Sequence, residues 1–196
     1  QASNFTEVEG ICRRILFLDP QHAHAAYLLG MVAYRRGQYR EAIEFLRQAI
    51  AFNGTVAEFH SDLGEMYRLL GNPAEAATCY RRALVLRPEY PEAYNNLGTV
   101  QKNIAEAIDY YRRALALRPD YADANYNLGN VFRIQGNVQE AIESYHCALK
   151  SKPDFVDAYH NLGNALVDQN RTQEALACYR RAMAIRPDND KVHSAM

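Results

Sequence analysis

Hydrophobic positions recur along this chain with the spacing of amphipathic helices. In residues 123–135 the apolar side chains repeat at helical intervals, and residues 138–150 repeat the pattern. Such segments are separated by residues that tolerate the left-handed conformation in which many helices end: Gly37, Gly71, Gly136 and Asn170. The pattern predicts pairs of helices joined by tight turns.

Two markers repeat with a common period. Leu-Gly pairs recur with separations of 34, 34, 31 and 34 residues, at Gly30, Gly64, Gly98, Gly129 and Gly163. Prolines that follow the second helix of a pair keep the same step, with Gly54 where one more proline would fall: Pro20, Pro88, Pro119, Pro153 and Pro187. A fixed period of this length is typical of a solenoid, in which each unit packs on its neighbours. We therefore expect an all-α array of antiparallel helix-turn-helix repeats.

The array is expected to fill residues 1–196 as one domain. It divides into the second helix of a partial repeat, five repeats and the start of a further helix: 1–22, 23–56, 57–90, 91–121, 122–155, 156–189 and 190–196.

The third repeat is three residues short. Gly98 lies 8 residues before Glu106, whereas the equivalent spacing in the next repeat is 11. We place the shortage between Asn103 and Ile104, where a turn glycine is missing. Antiparallel helices are normally joined by about 2–8 residues. This favours a tip loop absent from this sequence over a true deletion, which would force the two helices to unwind at that corner.

The repeated glycine is expected to allow a close approach between helices. Glycine inside a helix costs about 1 kcal/mol relative to alanine, so the column needs an offsetting gain. The facing helix carries a column of small residues at Ala42, Ala76, Ala107, Ala141 and Ala175. An aromatic column is expected to fill the core between units: Tyr80, Tyr111, Tyr145 and Tyr179, with Leu46 in the first unit.

Capping residues are predicted at several helix starts. Asn72 and Asn137 each precede a glutamate by three residues, the spacing of reciprocal capping. Asp154 is expected to cap the helix after it, and Pro73 suits a first helical turn.

Composition narrows the class of function. The net charge is −1 with mixed signs throughout, which gives no electrostatic reason to expect nucleic acid. No apolar run approaches the roughly 18 residues of a membrane span. Four cysteines lie in predicted helices without CxxC spacing, so we expect buried thiols in a reducing, cytoplasmic setting: Cys12, Cys79, Cys147 and Cys178. No catalytic, metal-binding or phosphate-binding motif is present, and no cofactor is expected.

These repeats resemble the tetratricopeptide repeat family. The resemblance rests on the Leu-Gly pair, the facing small residue, the aromatic, a later alanine and the closing proline, and it covers nearly the whole chain. The family's preferred tryptophan is replaced by Ala26, His60, Tyr94, Asn125 and Tyr159. The resemblance implies a right-handed superhelix whose first helices line a concave face.

Three positions on each first helix share one surface, which we call the first-helix stripe. They lie two residues before the column glycine, one after it and four after it. The first position, the ladder column, contains Leu28, Asp62, Asn96, Asn127 and Asn161. The second includes Asn130 and Asn164, and the third includes Arg68, Lys102 and Arg133. Asparagine offers a donor and an acceptor to an extended peptide backbone, and the basic residues offer partners for carboxylates. An alternative is that the asparagines hold neighbouring helices in register.

Three functions fit this pattern. The first is a non-catalytic scaffold that binds an extended peptide or client segment. The second is the substrate-docking arm of a glycosyltransferase, because AYNNLG, ANYNLGN and AYHNLGN resemble repeats of protein O-linked N-acetylglucosamine transferases, whose catalytic domain is absent here. That resemblance implies that Asn96, Asn127 and Asn161 hold a substrate backbone. The third is a chaperone-tail clamp or architectural scaffold. Half-repeats at both ends also predict that the chain either packs end to end with another copy or is part of a longer protein.

Overall fold

The computed structural model describes residues 2–186, and these form eleven helices without a β-strand. The helices are α1 (Ala2–Leu18), α2 (Ala23–Arg35), α3 (Tyr39–Phe52), α4 (Ala57–Leu69), α5 (Pro73–Leu86), α6 (Pro91–Val100), α7 (Ile104–Leu117), α8 (Ala122–Ile134), α9 (Val138–Ser151), α10 (Val156–Asp168) and α11 (Thr172–Ile185). The predicted all-α solenoid fold is confirmed. The start predicted at 190–196 lies outside the described residues.

Tight turns join α2 to α3, α4 to α5, α8 to α9 and α10 to α11. Each turn contains one residue with positive φ, as predicted: Gly37, Gly71, Gly136 and Asn170, at 75°, 76°, 80° and 60°. The residue after each of these closes the preceding helix with a backbone hydrogen bond to a carbonyl five residues back, such as Asn137 N to Phe132 O at 2.9 Å. This is the Schellman arrangement, which satisfies carbonyls that the helix end leaves open.

The chain forms two compact units. Unit 1 ends at Gln101 and contains α1 to α6, while unit 2 begins at Lys102 and contains α7 to α11. A single continuous array over 1–196 stays a prediction.

The short third repeat is accommodated by ending α6 early. Helix α6 has 10 residues, whereas α4 and α8 have 13. Asn103 is the N-cap of α7, the position that Asn72 and Asn137 hold at α5 and α9. The three missing positions therefore precede Asn103, and our placement of them after Asn103 was wrong. The chain leaves α6 in an extended conformation at Gln101 instead of making a tight turn.

The glycine column allows a close approach, but the nearest side chain is the aromatic. A methyl carbon at Gly64 would lie 2.7 Å from the Tyr80 ring, and one at Gly129 would lie 2.7 Å from the Tyr145 ring. The column alanine contributes a backbone carbonyl instead, at 3.2 Å from Gly129 in the case of Ala141. The aromatic column is buried, which confirms its predicted core role: Tyr80, Tyr111, Tyr145, Tyr179 and Leu46.

Two of the predicted side-chain caps do not form. Asn72 and Asn137 make no capping hydrogen bond; each has its N–H in a Schellman bond and has ψ of 73° and 67°, respectively. Asn103 has ψ of 117° and accepts from Ala105 N at 2.9 Å. The predicted cap at Asp154 is also wrong, since Phe155 is the N-cap of α10. Pro73 opens α5 as predicted.

Two contacts recur where one repeat passes to the next. A basic side chain lies over the aromatic ring three residues later, as in the pairs Arg87–Tyr90 at 3.6 Å, Arg118–Tyr121 at 4.8 Å and Lys152–Phe155 at 4.5 Å. Polar residues of the tryptophan column bond carbonyls six residues earlier: His60 Nε2 lies 3.0 Å from Gly54 O, and Asn125 Nδ2 donates to Pro119 O at 3.3 Å. At these two positions a hydrogen bond to a carbonyl takes the place of an aromatic ring.

The four cysteines are free thiols in different surroundings. Cys12 is buried, Cys79 and Cys178 are partly buried, and Cys147 is exposed. The expectation of buried thiols is therefore wrong for Cys147. Burial raises the pKa of Cys79 to about 11, so this thiol stays protonated and unreactive at neutral pH.

Candidate peptide-binding surface

The ladder column is divided between the two units. Unit 1 contains Leu28 on α2, Asp62 on α4 and Asn96 on α6, and unit 2 contains Asn127 on α8 and Asn161 on α10.

Asparagines of unit 2 form a connected hydrogen-bond network. Asn161 Nδ2 donates to Tyr126 Oη at 3.1 Å and to Asn130 Oδ1 at 2.8 Å. Asn130 Oδ1 also accepts from Tyr145 Oη at 2.9 Å. The network joins α8, α9 and α10, so it holds successive helices in register, as one of the two interpretations of the asparagines requires.

Each of these two amides makes its hydrogen bonds within the protein through only one of its polar atoms. The two N–H hydrogens of Asn161 go to Tyr126 and Asn130, and within residues 2–186 no hydrogen bond uses its Oδ1. Asn130 shows the opposite polarity, because its Oδ1 accepts twice while its amide N–H groups donate to no described residue. An amide carbonyl and an amide N–H are what a peptide backbone pairs with. The network therefore connects the helices and leaves Asn161 Oδ1 and the amide N–H groups of Asn130 without a hydrogen bond to a described residue.

The next repeat has the same arrangement. Tyr179 Oη donates to Asn164 Oδ1 at 2.8 Å, fifteen positions along the chain, as Tyr145 does to Asn130. Asn127 lies on α8 three residues before Asn130 and makes contacts of its own. Structural bonds to a tyrosine thus orient the second stripe position in both repeats of unit 2.

A carboxylate takes the ladder column in unit 1. Tyr27 Oη donates to Asp62 Oδ2 at 2.8 Å, and the Tyr27 ring stacks on Phe59 with centroids 4.7 Å apart. Burial raises the pKa of Asp62, and the nearby carboxylates Glu58 and Glu65 raise it further, while the hydrogen bond from Tyr27 opposes them. Burial and the neighbouring Asp62 charge raise the pKa of Tyr27.

The second and third stripe positions of α4 form an ion pair. Arg68 donates to both carboxylate oxygens of Glu65, at 2.6 and 2.8 Å, and Tyr80 Oη donates to Glu65 at 3.2 Å. Hydrogen bonding to Glu65 raises the pKa of Arg68. Arg68 is therefore engaged within its own helix.

The basic positions do not form a ladder. Arg133 Nη1 lies 3.9 Å from Asp168 Oδ2. Lys102 lies beyond α6, which ends at Val100, so it leaves the helical face on which its spacing predicted it. Asn96 remains on α6 and accepts from Asn95 Nδ2 at 3.2 Å.

Two tyrosines at this surface were missed by sequence reasoning. Tyr27 and Tyr126 contact the ladder residue of the following repeat, 35 positions later in each case. That separation is one residue more than the repeat period. The sequence therefore contained a signal for this contact, but the signal appears only when equivalent positions of the repeats are compared.

The polar side chains described at this surface form hydrogen bonds and ion pairs. No group of three or more His, Cys, Asp or Glu side chains suited to a metal ion occurs within residues 2–186. In the same range, no helix has both the length and the hydrophobicity to cross a membrane.

Family models match most of the chain. A model described as TPR repeat matches residues 64–104 and 129–169. Models described as tetratricopeptide repeat match residues 23–55, 100–146 and 156–189.

Curated relatives include tetratricopeptide repeat protein 7B of Mus musculus and of Homo sapiens. They are 34% and 33% identical over 76 residues, or 39% of this chain. The match spans 9% of either relative, so it concerns the repeats and not the whole protein.

Solved structures share the fold. MamA is 30% identical with a TM-score of 0.70, over 81% of this chain and 94% of MamA. PilW, a type IV pilus biogenesis factor, has a TM-score of 0.87 at 19% identity, over 99% of this chain and 91% of PilW. YrrB, described as a TPR protein with an unusual peptide-binding site, has a TM-score of 0.69 at 20% identity, over 94% and 96%. At these lower identities PilW and YrrB show the fold alone.

Proposed function

The chain belongs to the tetratricopeptide repeat family, and on that premise we propose that it is a non-catalytic protein-protein interaction scaffold. In this proposal the first-helix stripe binds an extended peptide segment of a partner protein. The proposed ligand-binding residues on the first helices are Asp62, Asn96, Asn127, Asn130, Asn161, Asn164, Arg68 and Arg133, whereas Lys102 lies beyond the end of α6.

The observation that supports this proposal is the polarity of the amide network in unit 2. Asn161 retains an acceptor and Asn130 retains donors, while their other halves are held by Tyr126 and Tyr145. A pre-oriented side chain loses little conformational entropy when it binds. Each hydrogen bond nets roughly 0.5–1.5 kcal/mol, so affinity has to come from several repeats acting together. The peptide-binding site named for YrrB agrees with such a use of the fold.

The test is a peptide-binding screen followed by a donor-removing variant. An arrayed library of capped random peptides identifies binders, and fluorescence anisotropy then measures their affinity. The double variant Asn130→Asp, Asn164→Asp keeps the oxygen that accepts from each tyrosine and removes the amide donors. We expect it to bind about tenfold more weakly, since two or more hydrogen bonds are lost.

Asn137→Asp is the matched control. It makes the same chemical change at an exposed N-cap of unit 2 that has no side-chain capping bond. We expect this variant to bind as the parent does. If no library peptide binds the parent, or if the double variant and the control bind equally, the proposal fails and an architectural scaffold is the better account. Circular dichroism verifies that each variant is folded.

The docking arm of a glycosyltransferase is a second candidate. It is favoured by the asparagines at Asn96, Asn127 and Asn161, which recur at one position of the repeat. Recovery of the complete reading frame tests it. A transferase domain encoded together with these repeats supports the candidate, and a frame without one excludes it.

The chaperone-tail clamp is less well supported. Such a clamp needs unpaired basic residues on consecutive first helices, but Arg68 pairs with Glu65 and Arg133 lies near Asp168. End-to-end self-association stays a prediction, for which sedimentation velocity over a range of concentrations is the measurement. Phe17 and Leu18 of α1 are exposed apolar side chains that it would cover.

A further inference from the structure

Equivalent tyrosine contacts in the two units have opposite hydrogen-bond direction. In unit 2 the ladder residue Asn161 donates to Tyr126 Oη, so the tyrosine hydrogen remains available. In unit 1 Tyr27 donates its one hydroxyl hydrogen to Asp62. The carboxylate has no hydrogen to offer when ionised. The Tyr27–Asp62 pair therefore presents only hydrogen-bond acceptors. It can bind an N–H or O–H group of a ligand, but it has no hydrogen to donate to a ligand carbonyl.

The neighbouring carboxylates have cationic partners, whereas Asp62 has none among the described residues. Glu58 pairs with Arg87 at 2.6 Å, and Glu65 pairs with Arg68 at 2.6 Å. Asp62 takes part in no ion pair of the described residues, although it is half-buried. The raised pKa of Asp62 expresses the same imbalance, because burial and nearby carboxylates disfavour its charge. A cationic ligand group would compensate this carboxylate.

An apolar residue takes the ladder column on the preceding first helix. Leu28 follows Tyr27 on α2 and is 41% exposed, so the ladder column offers hydrocarbon there in place of an amide. Met31 and Tyr34 continue the stripe along α2 and are partly buried. Unit 1 thus places an apolar residue and an unpaired acid on neighbouring first helices, whereas unit 2 presents amides.

We propose that unit 1 selects a ligand segment that carries a lysine or arginine next to an apolar residue. The cationic group binds Asp62 and the apolar side chain packs on Leu28. The inference rests on the proposed function, since it names the class of peptide that this surface binds. Charge complementarity favours this occupant over an acidic segment, which Asp62 repels.

The experiment compares three capped peptides that differ at one residue. Each carries a leucine followed by lysine, glutamine or glutamate in an otherwise identical sequence taken from a screened binder. Fluorescence anisotropy measures their affinity for the intact chain. We expect lysine to bind about tenfold more tightly than glutamine, as one charge-assisted hydrogen bond implies, and glutamate to bind most weakly.

Asp62→Asn separates charge from structure. The amide oxygen still accepts from Tyr27, so the helix contact is retained while the charge is lost. In this variant lysine and glutamine peptides should bind equally. Glu44→Gln is the matched control, because it removes an exposed carboxylate on the second helix α3, and it should keep the lysine preference. Leu28→Ala should weaken all three peptides without changing their ratio.

The outcomes distinguish this inference from the proposed function. Equal binding of lysine and glutamine peptides by the parent, or a lysine preference that survives Asp62→Asn, overturns the inference and leaves peptide binding intact. Absence of binding by every peptide overturns both. Thermal unfolding followed by circular dichroism establishes that the Asp62→Asn chain is folded, and Tyr27→Phe, which keeps the carboxylate, should retain the preference.

Discussion

Asparagine residues of unit 2 divide their amide between the protein and the solvent. Tyr145 and Tyr179 each donate to the second stripe position of their repeat, and these bonds orient Asn130 and Asn164. The corresponding residue in unit 1 is Glu65, which accepts from Tyr80. One tyrosine contact therefore orients different chemistry in different repeats, and that lets a uniform fold present a varied surface.

Gly129→Ala should destabilise the protein. The new methyl carbon would lie 2.7 Å from Tyr145 Cε1 and 3.2 Å from Ala141 O, and the fully buried ring has no space to move into. Overpacking of this kind costs about 1–3 kcal/mol, which a lower urea midpoint would report. Gly10→Ala is the control, since nothing lies within 4 Å of a methyl there. It should stabilise helix α1 by up to about 1 kcal/mol. An unchanged midpoint for Gly129→Ala would contradict the packing argument.

Asp62→Asn should raise stability at neutral pH and lose that effect in acid. Burial raises the folded pKa of Asp62 above its ordinary value of 3.8, so the folded chain binds this proton more tightly than the unfolded chain. Protonation of Asp62 therefore stabilises the folded chain. This stabilisation is complete below the pKa of Asp62 in the unfolded chain, and it is lost as the pH rises through the pKa of Asp62 in the folded chain. The groups that face Asp62 are Tyr27 of α2, Glu58 and Glu65 of α4, and Tyr90 at the start of α6.

Urea unfolding at neutral and acid pH measures this difference. Asp109→Asn serves as the control, because Asp109 is exposed and pairs with Arg113 at 2.9 Å on one helix. Exposed pairs are worth about 0–1 kcal/mol, so this change should not raise stability at neutral pH. An Asp62→Asn variant that is less stable than the parent at neutral pH would refute the assignment of burial as the dominant cause.

The way in which a second helix begins depends on the turn that precedes it. At a tight turn, one residue both closes the first helix and begins the second, as Asn137 does between α8 and α9. Its N–H makes the backbone bond, and its side chain makes no capping bond. After the extended segment that follows α6, Asn103 is not held in this way and its side chain caps α7.

Asn103→Ala should therefore destabilise α7, whereas Asn137→Ala should change little. Loss of an N-cap bond costs about 0.5–2 kcal/mol. Asn103 Oδ1 accepts from Ala105 N at 2.9 Å, whereas Asn137 makes no such bond. Hydrogen exchange of the first turn of α7, read beside the urea midpoint, measures the effect. Equal losses in the two variants would argue against it.

At the scale of the whole molecule, a three-residue difference coincides with a division of the chain. Unit 1 ends at Gln101, one residue after α6, which is three residues shorter than α4 or α8. A first helix that ends early has lost the turn glycine found at Gly71 and Gly136. The repeat pattern is thus interrupted where the local turn chemistry is missing.

Insertion of Ile-Gln-Gly between Lys102 and Asn103 should restore a tight turn. This triplet copies residues 134–136 of the next repeat, and its glycine supplies the positive φ that such a turn requires. We expect α6 to lengthen to the 13 residues of α8, with increased helical circular dichroism and slower hydrogen exchange at its end. Ile-Pro-Pro at the same point is the control, because it cannot extend the helix. No gain over this control would show that the shortage is not what ends α6.

The amino-acid sequence alone was enough to predict the repeat, the helices, the four positive-φ turns and the burial of the aromatic column. These features depend on interactions within one repeat or between neighbours, so a period of 34 residues displays them directly. It also identified the glycine column as a place of close approach. Helical spacing was not sufficient for Lys102, because the end of α6 depends on the missing turn.

The contacts between helices show which polar atoms are hydrogen-bonded within the protein and which are not. The tertiary structure selected the tyrosine ring as the partner of Gly129, Asn103 rather than Asn137 as a cap, and opposite hydrogen-bond directions at Asp62 and Asn161. Hydrogen bonds depend on distances of a few tenths of an ångström and on direction, which residue type and spacing do not specify. Periodicity is a property of the chain, whereas the unused donors and acceptors of the stripe arise only where successive helices meet.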